Sequence, residues 1–384
     1  MRILAVGGGS GGHVTPVVAV LKQIQHDHPK IQIHFWTDHS FGSQAQSLIH
    51  EFDPTIVVST IIAGKLRRYY HLSVIRQLFW PRLMFLNIRD AFLVGIGIAQ
   101  SVIKLIIWRP DVVFTKGGYV CLPVGLAARF LRIPLVIHDS DAHPGLTNRV
   151  LARFATSIAT GAPLEFYHYP ATITRYVGIP ISENFHVHTS EEREGAKSEW
   201  GIGTDKPLIV ITGGGLGAQR INETVAETLH ELLAIGSVVL ISGAGQYDQL
   251  RALMPANNNY FQLHPFITDM PVLLTAADIV VTRAGATTIL ELAALVKPTI
   301  LIPNAKLTGG HQLKNAAVYA EKNAVVIVNE EAMMQNRQLL VEAVQKLISH
   351  PTEAHDMAER FSTFAKPHAA KEMADMIITA ASAK

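Results

Sequence analysis

Short, largely apolar segments alternate with longer segments of helical periodicity along the whole chain. Most apolar segments are followed by glycine or proline and then by a helix-like pattern. Strands that are apolar along their whole length are typical of parallel sheets with helices on both faces. The pattern therefore predicts an α/β fold with parallel sheets. The clearest predicted strands are Ile3–Val6, Ile31–Trp36, Val112–Thr115, Leu135–Ile137, Leu208–Thr212, Val238–Ser242, Ile279–Thr282 and Thr299–Ile302.

The two halves of the chain resemble each other. Residues 111–119 read DVVFTKGGY and residues 278–286 read DIVVTRAGA, so that Asp, Val, Thr and a glycine coincide and a basic residue occupies the same position. A glycine cluster also follows an apolar segment in both halves, at 7–12 and at 213–218. Two similar βα halves are the simplest explanation, and chance similarity between ordinary βα units is the alternative.

The length of the chain, 384 residues, also favours two domains. We expect one Rossmann-like, doubly wound domain at 1–178 and a second at 179–360, divided where Gly and Pro interrupt residues 176–182. Residues 353–383 have a helical pattern that is broken at Pro367. The last helix, from about 361 to 384, could cap the second domain or pack back on the first.

Composition bears on the compartment more than on partners. The formal net charge is +2, which gives no argument for nucleic-acid binding. The single cysteine, Cys121, excludes an internal disulfide. A chain without disulfides is typical of the cytosol.

The longest apolar segment, residues 91–108, is close to the length of a membrane span. Within it, Gly97, Gln100, Ser101 and Lys104 recur at helical spacing and form one polar stripe. Such a stripe is typical of a helix that packs on a sheet rather than of one that crosses a bilayer.

A glycine-rich turn, GGGSGGHVTP at residues 7–16, directly follows the first predicted strand. Backbone N–H groups converge at such a turn, and the dipole of the following helix favours a phosphate there. The turn also matches the G-x-G-x-x-G pattern of dinucleotide-binding enzymes, with Asp38 where a ribose-binding acid would lie. Two interpretations are therefore open. One is an enzyme that uses both glycine clusters, and the other is an NAD-dependent oxidoreductase that uses only one.

His13 is the first side chain after these glycines. An imidazole beside a phosphate-binding turn is suited to proton transfer near neutral pH. A capping or packing residue in the first turn of the helix is the alternative. We favour the catalytic interpretation.

Five segments in both halves of the chain carry a resemblance to one known family. They are GGGSGGHVTP (7–16), RPDVVFTKGGYVCLP (109–123), HDSDAHPGLTN (138–148), TRAGATTILELAALVKPTILIP (282–303) and GGHQLKNA (309–316). In order and content they resemble the MurG family of bacterial transferases, which move N-acetylglucosamine from UDP-N-acetylglucosamine to a lipid-linked muramyl-peptide. The resemblance implies the GT-B fold, two Rossmann-like domains that face each other across a cleft. It also implies inversion at the anomeric carbon, no cofactor and no tightly bound metal.

The resemblance implies roles for the residues at matching positions. Thr287 and Thr288, at a helix N-terminus, would offer donors to the diphosphate, and Glu291 would accept the two ribose hydroxyls. An ordinary solvated helix residue is the alternative for Glu291, whose apolar neighbours favour the binding role. Ile267 would meet the uracil and Gln312 the sugar hydroxyls. The full set of expected donor-substrate residues is Ser10, Gly11, Gly12, Asp141, Ser182, Gly215, Ile267, Ala286, Thr287, Thr288, Ile289, Leu290, Glu291 and Gln312.

The transfer needs a base that takes the proton of the acceptor hydroxyl. His13, with an ordinary pKa of about 6.5, is the first candidate, and Asp139 is the second, either as base or as the partner of the imidazole. Tyr119 and Asn148 resemble acceptor-side positions. Asp139 and Asp141 also match a D-x-D metal motif, but the resemblance argues against a metal, so none is expected.

The sequence departs from the family pattern at three places. The family's GGSQGA turn is GGGLGA here, so that Gly215 and Leu216 replace a serine and a glutamine. Ser182 occupies the position of an arginine, and HDSD at 138–141 replaces HEQN. These changes leave the expected fold intact and bear on the choice and affinity of the donor.

Residues 65–109 mix basic and aromatic side chains with aliphatic ones. They contain eight Lys and Arg residues but only one acidic residue, Asp90. This mixture suits an anionic bilayer surface, and no nucleic-acid motif accompanies it. Partial burial of the aromatic residues, with the arginines extended outward, is the alternative. We expect a peripheral protein at the cytoplasmic face of the plasma membrane.

The leading hypothesis is an inverting N-acetylglucosaminyltransferase that converts lipid I to lipid II in peptidoglycan synthesis. Its partners would be UDP-N-acetylglucosamine, the lipid-linked muramyl-peptide and an anionic membrane surface, with no nucleic acid. An NAD-dependent Rossmann oxidoreductase and a non-catalytic UDP-sugar-binding membrane scaffold are the alternatives.

Overall fold

The computed structural model describes residues 1–9, 11–66, 80–214, 217–305 and 310–383. The chain divides into two compact units. The first contains Met1–Ser182 and the C-terminal segment from Lys366 onward, and the second contains Glu183–Ala305 and Gln312–Ala365. The change from one unit to the other therefore occurs just after residues 176–182.

Parallel strands and helices alternate in both units. Within the described residues the strands are β1 Arg2–Val6, β2 Gln32–Asp38, β3 Val57–Ile61, β4 Val112–Thr115, β5 Leu135–Asp139, β6 Ser157–Thr160, β7 Thr174–Tyr176, β8 Leu208–Thr212, β9 Ser237–Ile241, β10 Phe261–His264, β11 Ile279–Thr282, β12 Thr299–Leu301 and β13 Val326–Ile327. The helices in the same part of the chain are α1 Gly11–Asp27, α2 Gly42–Phe52, α3 Pro81–Trp108, α4 Cys121–Phe130, α5 Leu146–Leu151, α6 Ser190–Glu199, α7 Gln219–Ile235, α8 Ala244–Leu253, α9 Met270–Ala276, α10 Ala286–Ala294, α11 His311–Ala320, α12 Glu330–Gln335, α13 Gln338–Ser349, α14 Pro351–Ser362 and α15 Ala369–Ser382. The eight strands predicted from the apolar segments are confirmed, with ends that differ by at most two residues.

The first unit is built on a parallel sheet that, in the described residues, has seven strands in the order β3-β2-β1-β4-β5-β6-β7. β1 pairs with β2 on one side and with β4 on the other, so the order of the strands reverses at β1. β4 and β5 are buried along their whole length, which accounts for their apolar sequences. Sheets of this type bind ligands at the carboxyl ends of the strands, where the order reverses.

The second unit repeats this arrangement. Its described strands form a six-stranded parallel sheet in the order β10-β9-β8-β11-β12-β13. The order reverses at β8, which pairs with β9 and with β11. β4 and β11, the strands of the two similar segments at 111–119 and 278–286, therefore occupy equivalent positions beside the first strand of their sheets.

The end of the chain belongs to the first unit. A non-helical link around Pro367 separates α14 from α15. Met373 and Ile377 of α15 are completely buried in the core cluster that contains Val17 and Leu21 of α1. The last helix therefore completes the hydrophobic core of the first unit.

Helix α3 packs on the first unit through its polar stripe. Gly97 and Ser101 are buried. Gln100 accepts a hydrogen bond from the N–H of Ile62 at 2.8 Å, and Lys104 donates to a carbonyl of β3 at 3.4 Å. The prediction of a packed helix is confirmed. Because Lys104 turns toward the sheet, it is removed from the basic surface expected at residues 65–109.

The opposite face of α3 is apolar and exposed. By length and composition alone α3 could cross a membrane, and only 22% of its most apolar part is buried. An exposed apolar face of this extent is typical of an interaction site. The side chains that are more than half exposed are Phe85, Ile88, Phe92, Ile103 and Ile107. Seven residues of the expected membrane-facing surface lie outside the described residues, namely Arg67, Arg68, Tyr69, Tyr70, Arg76, Leu78 and Phe79.

Two glycines of α3 give a matched test of this packing. A Cβ at Gly97 would overlap the carbonyl oxygen of Ile62, whereas a Cβ at Gly95 would meet nothing within 4 Å. We expect Gly97→Ala to lower the free energy of unfolding by about 1–3 kcal/mol through overpacking. Gly95→Ala should raise it by about 0.5–1 kcal/mol, because alanine favours the helix. Urea unfolding followed by tryptophan fluorescence measures both, and equal effects of the two changes would contradict the packing.

Candidate functional site

The polar residues expected to act in the first unit lie at one edge of its sheet. A cavity of about 500 Å³ lies there, at the carboxyl ends of β1, β4 and β5. Loops and helix N-termini converge on this edge of a parallel sheet, which is why ligands bind there. Residues that line the cavity include Gly8, Gly9, His13, Lys116, Tyr119, Asp139, Asp141 and Asn148.

Asp38, the last residue of β2, holds the glycine-rich turn in place. Its Oδ2 accepts a hydrogen bond from the N–H of Gly9 at 2.6 Å, and its Oδ1 accepts one from the hydroxyl of Tyr119 at 2.6 Å. The hydroxyl of Ser40 and the N–H groups of Ser40 and Phe41 also donate to Oδ1. Burial opposes ionisation, but these hydrogen bonds outweigh it and lower the pKa of Asp38. Asp38 is also 2% exposed, and both of its oxygens accept hydrogen bonds from the protein, which disfavours the ribose-binding role that an NAD-dependent enzyme would need.

The turn after β4 packs directly on the turn after β1. Gly118 has a φ of +88°, and a Cβ at this position would lie 2.9 Å from the carbonyl oxygen of Gly8. Only glycine permits both the conformation and the approach. The ring of Tyr119 lies over Gly9, where a Cβ would be 3.2 Å from its Cε1. Tyr119 thus lines the cavity with its ring, while its hydroxyl is bound to Asp38.

His13 lies in the first turn of α1, beside the cavity. Its Nδ1 is buried and has no hydrogen-bond partner among the described residues. Burial and the positive charge of Lys116 lower the pKa of His13 to about 4. The imidazole is therefore neutral at pH 7, where it can form hydrogen bonds to a substrate but is a weak base.

Asp139, the last residue of β5, is 3% exposed. Its Oδ2 accepts a hydrogen bond from the hydroxyl of Tyr169 at 2.7 Å. Burial raises the pKa of Asp139 to about 7, although the hydrogen bonds from Tyr169 and Asn148 and the charge of Lys116 act in the opposite direction. A general base is most effective when its pKa is close to the working pH. This comparison favours Asp139 over His13 as the base.

Lys116 directly follows β4 and is a site residue that the motifs did not identify. It is 1% exposed, and its ammonium group contacts the hydroxyl of Ser140. Burial lowers the pKa of Lys116 to about 8, while Asp141 and Asp139 act in the opposite direction. The similarity between the two halves contained the signal, because Lys116 and Arg283 occupy the same position in their segments.

Arg283 has a structural role instead. Its Nη1 donates to the carbonyl of Ile302 at 3.0 Å, and its guanidinium group pairs with Glu330, which is 3% exposed. Arg220 pairs with the same carboxylate at 3.2 Å. Paired charges of this kind are costly to separate once buried, so they fix the turn that leads from β11 into α10.

The expected diphosphate-binding residues form the beginning of α10. Ala286, Thr287 and Thr288 make up its first turn and are half-buried. The first N–H groups of a helix lack partners within the helix and favour an anion. The side chains of Ile289 and Leu290, which are also expected to bind the donor, are buried in the protein. The N–H of Ile289 is also hydrogen-bonded within the helix, so neither side chain is available to a ligand.

Glu291 lies one turn into α10 and is half-buried. Burial raises the pKa of its carboxyl group to about 7, and none of the described residues is hydrogen-bonded to that group. A carboxylate in this position can accept hydrogen bonds from a ligand. The binding role expected for Glu291 stays a prediction.

Two further residues of the second unit that are expected to bind the donor substrate lie in the described part of the chain. Ile267 is 7% exposed and lies in the loop between β10 and α9. Gln312 lies in the first turn of α11, and its Oε1 accepts a hydrogen bond from the N–H of Asn304 at 2.9 Å, which orients the amide group. Gly215, like Leu216, lies outside the described residues.

The remaining expected residues belong to the first unit. Gly11 and Gly12 open α1, and Asp141 lines the cavity. Ser182 is half-buried and lies at the end of the first unit. Ser10 lies outside the described residues. In the part of the chain that the structure describes, no three His, Cys, Asp or Glu side chains are grouped as metal ligands.

Both units match known proteins over their whole length. Residues 3–160 match the sequence model of the glycosyltransferase family 28 N-terminal domain, and residues 208–373 match that of the glycosyltransferase family 28 C-terminal domain. A Bacillus anthracis protein named UDP-N-acetylglucosamine–N-acetylmuramyl-(pentapeptide) pyrophosphoryl-undecaprenol N-acetylglucosamine transferase 2 is 33% identical over 98% of both chains. An Exiguobacterium protein with the same transferase name is 30% identical over 98% of this chain and 99% of its own.

A solved structure is similar over both units as well. MurG from Acinetobacter baumannii is 27% identical over 98% of this chain and 99% of its own, with a TM-score of 0.72.

Proposed function

Because the chain belongs to the MurG family of glycosyltransferases, we infer that it is an N-acetylglucosaminyltransferase. It transfers N-acetylglucosamine from UDP-N-acetylglucosamine to the lipid-linked muramyl-pentapeptide, which converts lipid I to lipid II in peptidoglycan synthesis. Its two Rossmann-like units have the fold that this family shares, the GT-B fold. The oxidoreductase alternative loses its support, since Asp38 is bound to the glycine-rich turn.

The observation that carries the donor assignment is the half-buried carboxyl group of Glu291, which has no hydrogen-bond partner among the described residues and whose pKa is raised to about 7 by burial. A ribose offers two adjacent hydroxyl donors, and a carboxylate can accept both. The N-terminus of α10, with its helix dipole, suits the diphosphate of the same ligand. We therefore propose that the second unit binds UDP-N-acetylglucosamine through α10, with Ile267 at the uracil and Gln312 at the sugar.

In the first unit, we propose that the cavity binds the acceptor sugar and that Asp139 takes the proton of its hydroxyl. The hydroxyl oxygen forms a bond to the anomeric carbon of the donor while the bond from that carbon to the UDP oxygen breaks. The electron pair leaves with UDP, and the proton passes to the Asp139 carboxylate. Neutral His13 and the buried Asn148, whose Oδ1 has no partner in the described structure, would orient the acceptor. N–H groups at helix N-termini stabilise the charge on the leaving group.

A turnover assay tests the proposed function. The purified full-length chain is mixed with UDP-N-acetylglucosamine and the lipid-linked muramyl-pentapeptide, and released UDP is measured. We expect release only when both substrates are present, and much slower release with UDP-glucose as donor. Donor binding without any turnover would favour the non-catalytic scaffold, and absence of both would contradict the proposal.

We also propose that the exposed face of α3 binds the anionic, cytoplasmic surface of the plasma membrane. Its apolar side chains, such as Phe85 and Phe92, suit the acyl boundary of a bilayer, and the exposed Arg82 suits its anionic headgroups. Arg89 is half exposed, although it pairs with Asp90 at 2.8 Å. A position at the membrane surface brings the enzyme to its lipid-linked acceptor, because the acceptor cannot leave the bilayer.

A double substitution tests the membrane surface. Burial of a phenylalanine is worth about 1.5–3 kcal/mol, so Phe85→Gln with Phe92→Gln should lower binding to phosphatidylglycerol vesicles by at least about tenfold. Leu253→Gln, at a side chain that is 72% exposed in the second unit, is the matched control and should have no effect. Co-sedimentation with vesicles measures both variants. Unchanged binding of the double variant would exclude α3 as the membrane contact.

A further inference from the structure

Two tyrosines between β6 and β7 contact the carboxyl end of β5. The hydroxyl of Tyr167 donates to the carbonyl of Asp141 at 2.8 Å and accepts from the N–H of Ala162 at 3.2 Å. The hydroxyl of Tyr169 donates to Oδ2 of Asp139 at 2.7 Å. The two rings are nearly parallel, with centroids 5.7 Å apart. Tyr167 therefore fixes the backbone beside the cavity, and Tyr169 fixes the carboxylate.

We propose that Tyr169 is a positioning residue of the transfer reaction, whose hydroxyl orients the Asp139 carboxylate to take the proton of the acceptor hydroxyl. The proposal rests on the proposed function, since it requires an acceptor hydroxyl that loses its proton. Tyr169 lies outside the five segments that carry the family resemblance. It acts through Asp139 and needs no contact with either substrate.

The hydrogen bond also bears on the charge of Asp139. A buried carboxyl group favours its neutral form, whereas a donor that bonds to the carboxylate favours the ionised form. Burial raises the pKa of Asp139 to about 7, and Tyr169 is the strongest of the groups that oppose this rise. Loss of the Tyr169 hydroxyl should therefore raise the pKa of Asp139 further, so that less of the base form is present at neutral pH.

The other charged groups around Asp139 belong to three different elements. Lys116, directly after β4, favours the ionised form of Asp139. Asp141, in the loop after β5, opposes ionisation of Asp139. Arg149, on α5, faces Tyr169. Burial and the charge of Asp139 hold the pKa of Tyr169 well above its ordinary value, so its hydroxyl remains a donor through the whole range of an activity assay. These groups stay in place when the Tyr169 hydroxyl is removed.

The test is the pH dependence of kcat/KM for the acceptor at saturating UDP-N-acetylglucosamine. This quantity reports ionisations of the enzyme–donor complex, in which Glu291 already holds the donor. For the wild type we expect activity to fall as the pH decreases through about 7. We call this fall in activity the acidic limb, and for Tyr169→Phe we expect it to move upward by about one pH unit. A hydrogen bond to a charged group contributes at least about 1.4 kcal/mol, which corresponds to one pKa unit. Activity at pH 7 should fall by up to about tenfold and recover at higher pH.

Tyr176→Phe is the matched control. Tyr176 lies on β7 of the same unit, and its ring contacts the ammonium group of Lys366 rather than Asp139. We expect its acidic limb to coincide with that of the wild type. A Tyr169→Phe variant with a lower plateau but an unmoved limb would show a merely structural role and overturn the proposal.

Two further observations keep the test decisive. If circular dichroism shows that Tyr169→Phe does not fold, Tyr169→3-fluorotyrosine retains the shape and has a more acidic hydroxyl, so the limb should move downward. An unmoved limb in that variant also overturns the proposal. A wild-type enzyme that releases no UDP with both substrates would instead contradict the proposed function, and the two failures are thereby distinguished.

Discussion

Replacing Asp139 by asparagine should lower turnover by about 10²- to 10⁴-fold, the usual contribution of a general base, and leave donor affinity unchanged. Asparagine has nearly the same shape and can still accept the hydrogen bond from Tyr169, but it cannot take a proton. UDP release in the presence of the lipid-linked acceptor measures turnover. Calorimetry with UDP-N-acetylglucosamine measures donor affinity, which depends on groups of the second unit.

The pH profile identifies the base independently. The pKa of Asp139 is raised, so its base form is present above about pH 7 and is lost as the pH falls through that value. The pKa of His13 is lowered, so its base form is lost only as the pH falls through about 4. At saturating UDP-N-acetylglucosamine, so that the ionisation of Glu291 does not limit activity, we expect an acidic limb near 7 in the wild type and in His13→Ala, and none in Asp139→Asn. A limb near 4, or full activity of Asp139→Asn, would return the role of base to His13.

Replacing Glu291 by glutamine should weaken binding of UDP-N-acetylglucosamine by about 10- to 100-fold. In the proposed complex the carboxylate would accept two hydrogen bonds, each worth about 1.5–3 kcal/mol when the acceptor is charged, and glutamine retains one acceptor oxygen. Binding of UDP and of 2′-deoxy-UDP should differ for the wild type and differ much less for Glu291→Gln. Glu342→Gln, on the exposed face of α13, is the matched control.

The affinity for the donor should also depend on pH through Glu291. Its pKa is raised to about 7, so the ionised form that accepts both hydroxyls increases as the pH rises through this value. Affinity for UDP-N-acetylglucosamine, whose diphosphate diester keeps its charge over this range, should therefore increase from about pH 6 to about pH 8. In Glu291→Gln it should be constant. Constant affinity in the wild type would contradict the assignment of Glu291 to the ribose.

The fold could be predicted because parallel sheets covered on both faces demand apolar strands. β4 and β11 are buried along their whole length, and their sequences show it directly. β13 is different, since Val326 is half-buried and Ile327 is exposed. Such a short edge strand is defined by its pairing with β12 and leaves no periodic pattern in the sequence.

Helix α3 shows where hydrophobic periodicity is insufficient. The stripe of polar residues correctly predicts a packed helix, but this stripe faces the protein rather than water. Gln100 and Lys104 bond to backbone groups at the end of β3, the edge strand of the first sheet. Backbone groups at such an edge need partners, and polar side chains of α3 provide them. The apolar side chains are consequently left outside.

The sequence by itself determined the two similar α/β halves, the glycine-rich turns and the identity of candidates such as His13, Asp139 and Glu291. Tertiary structure alone decided in which direction the pKa of each of these groups is shifted. Asp139 meets Tyr169 and Lys116, and His13 meets Lys116, although these residues are distant in the chain. Desolvation and charge interactions depend on distances in space, so the order of basicity between His13 and Asp139 could not be obtained from the motifs that contain them.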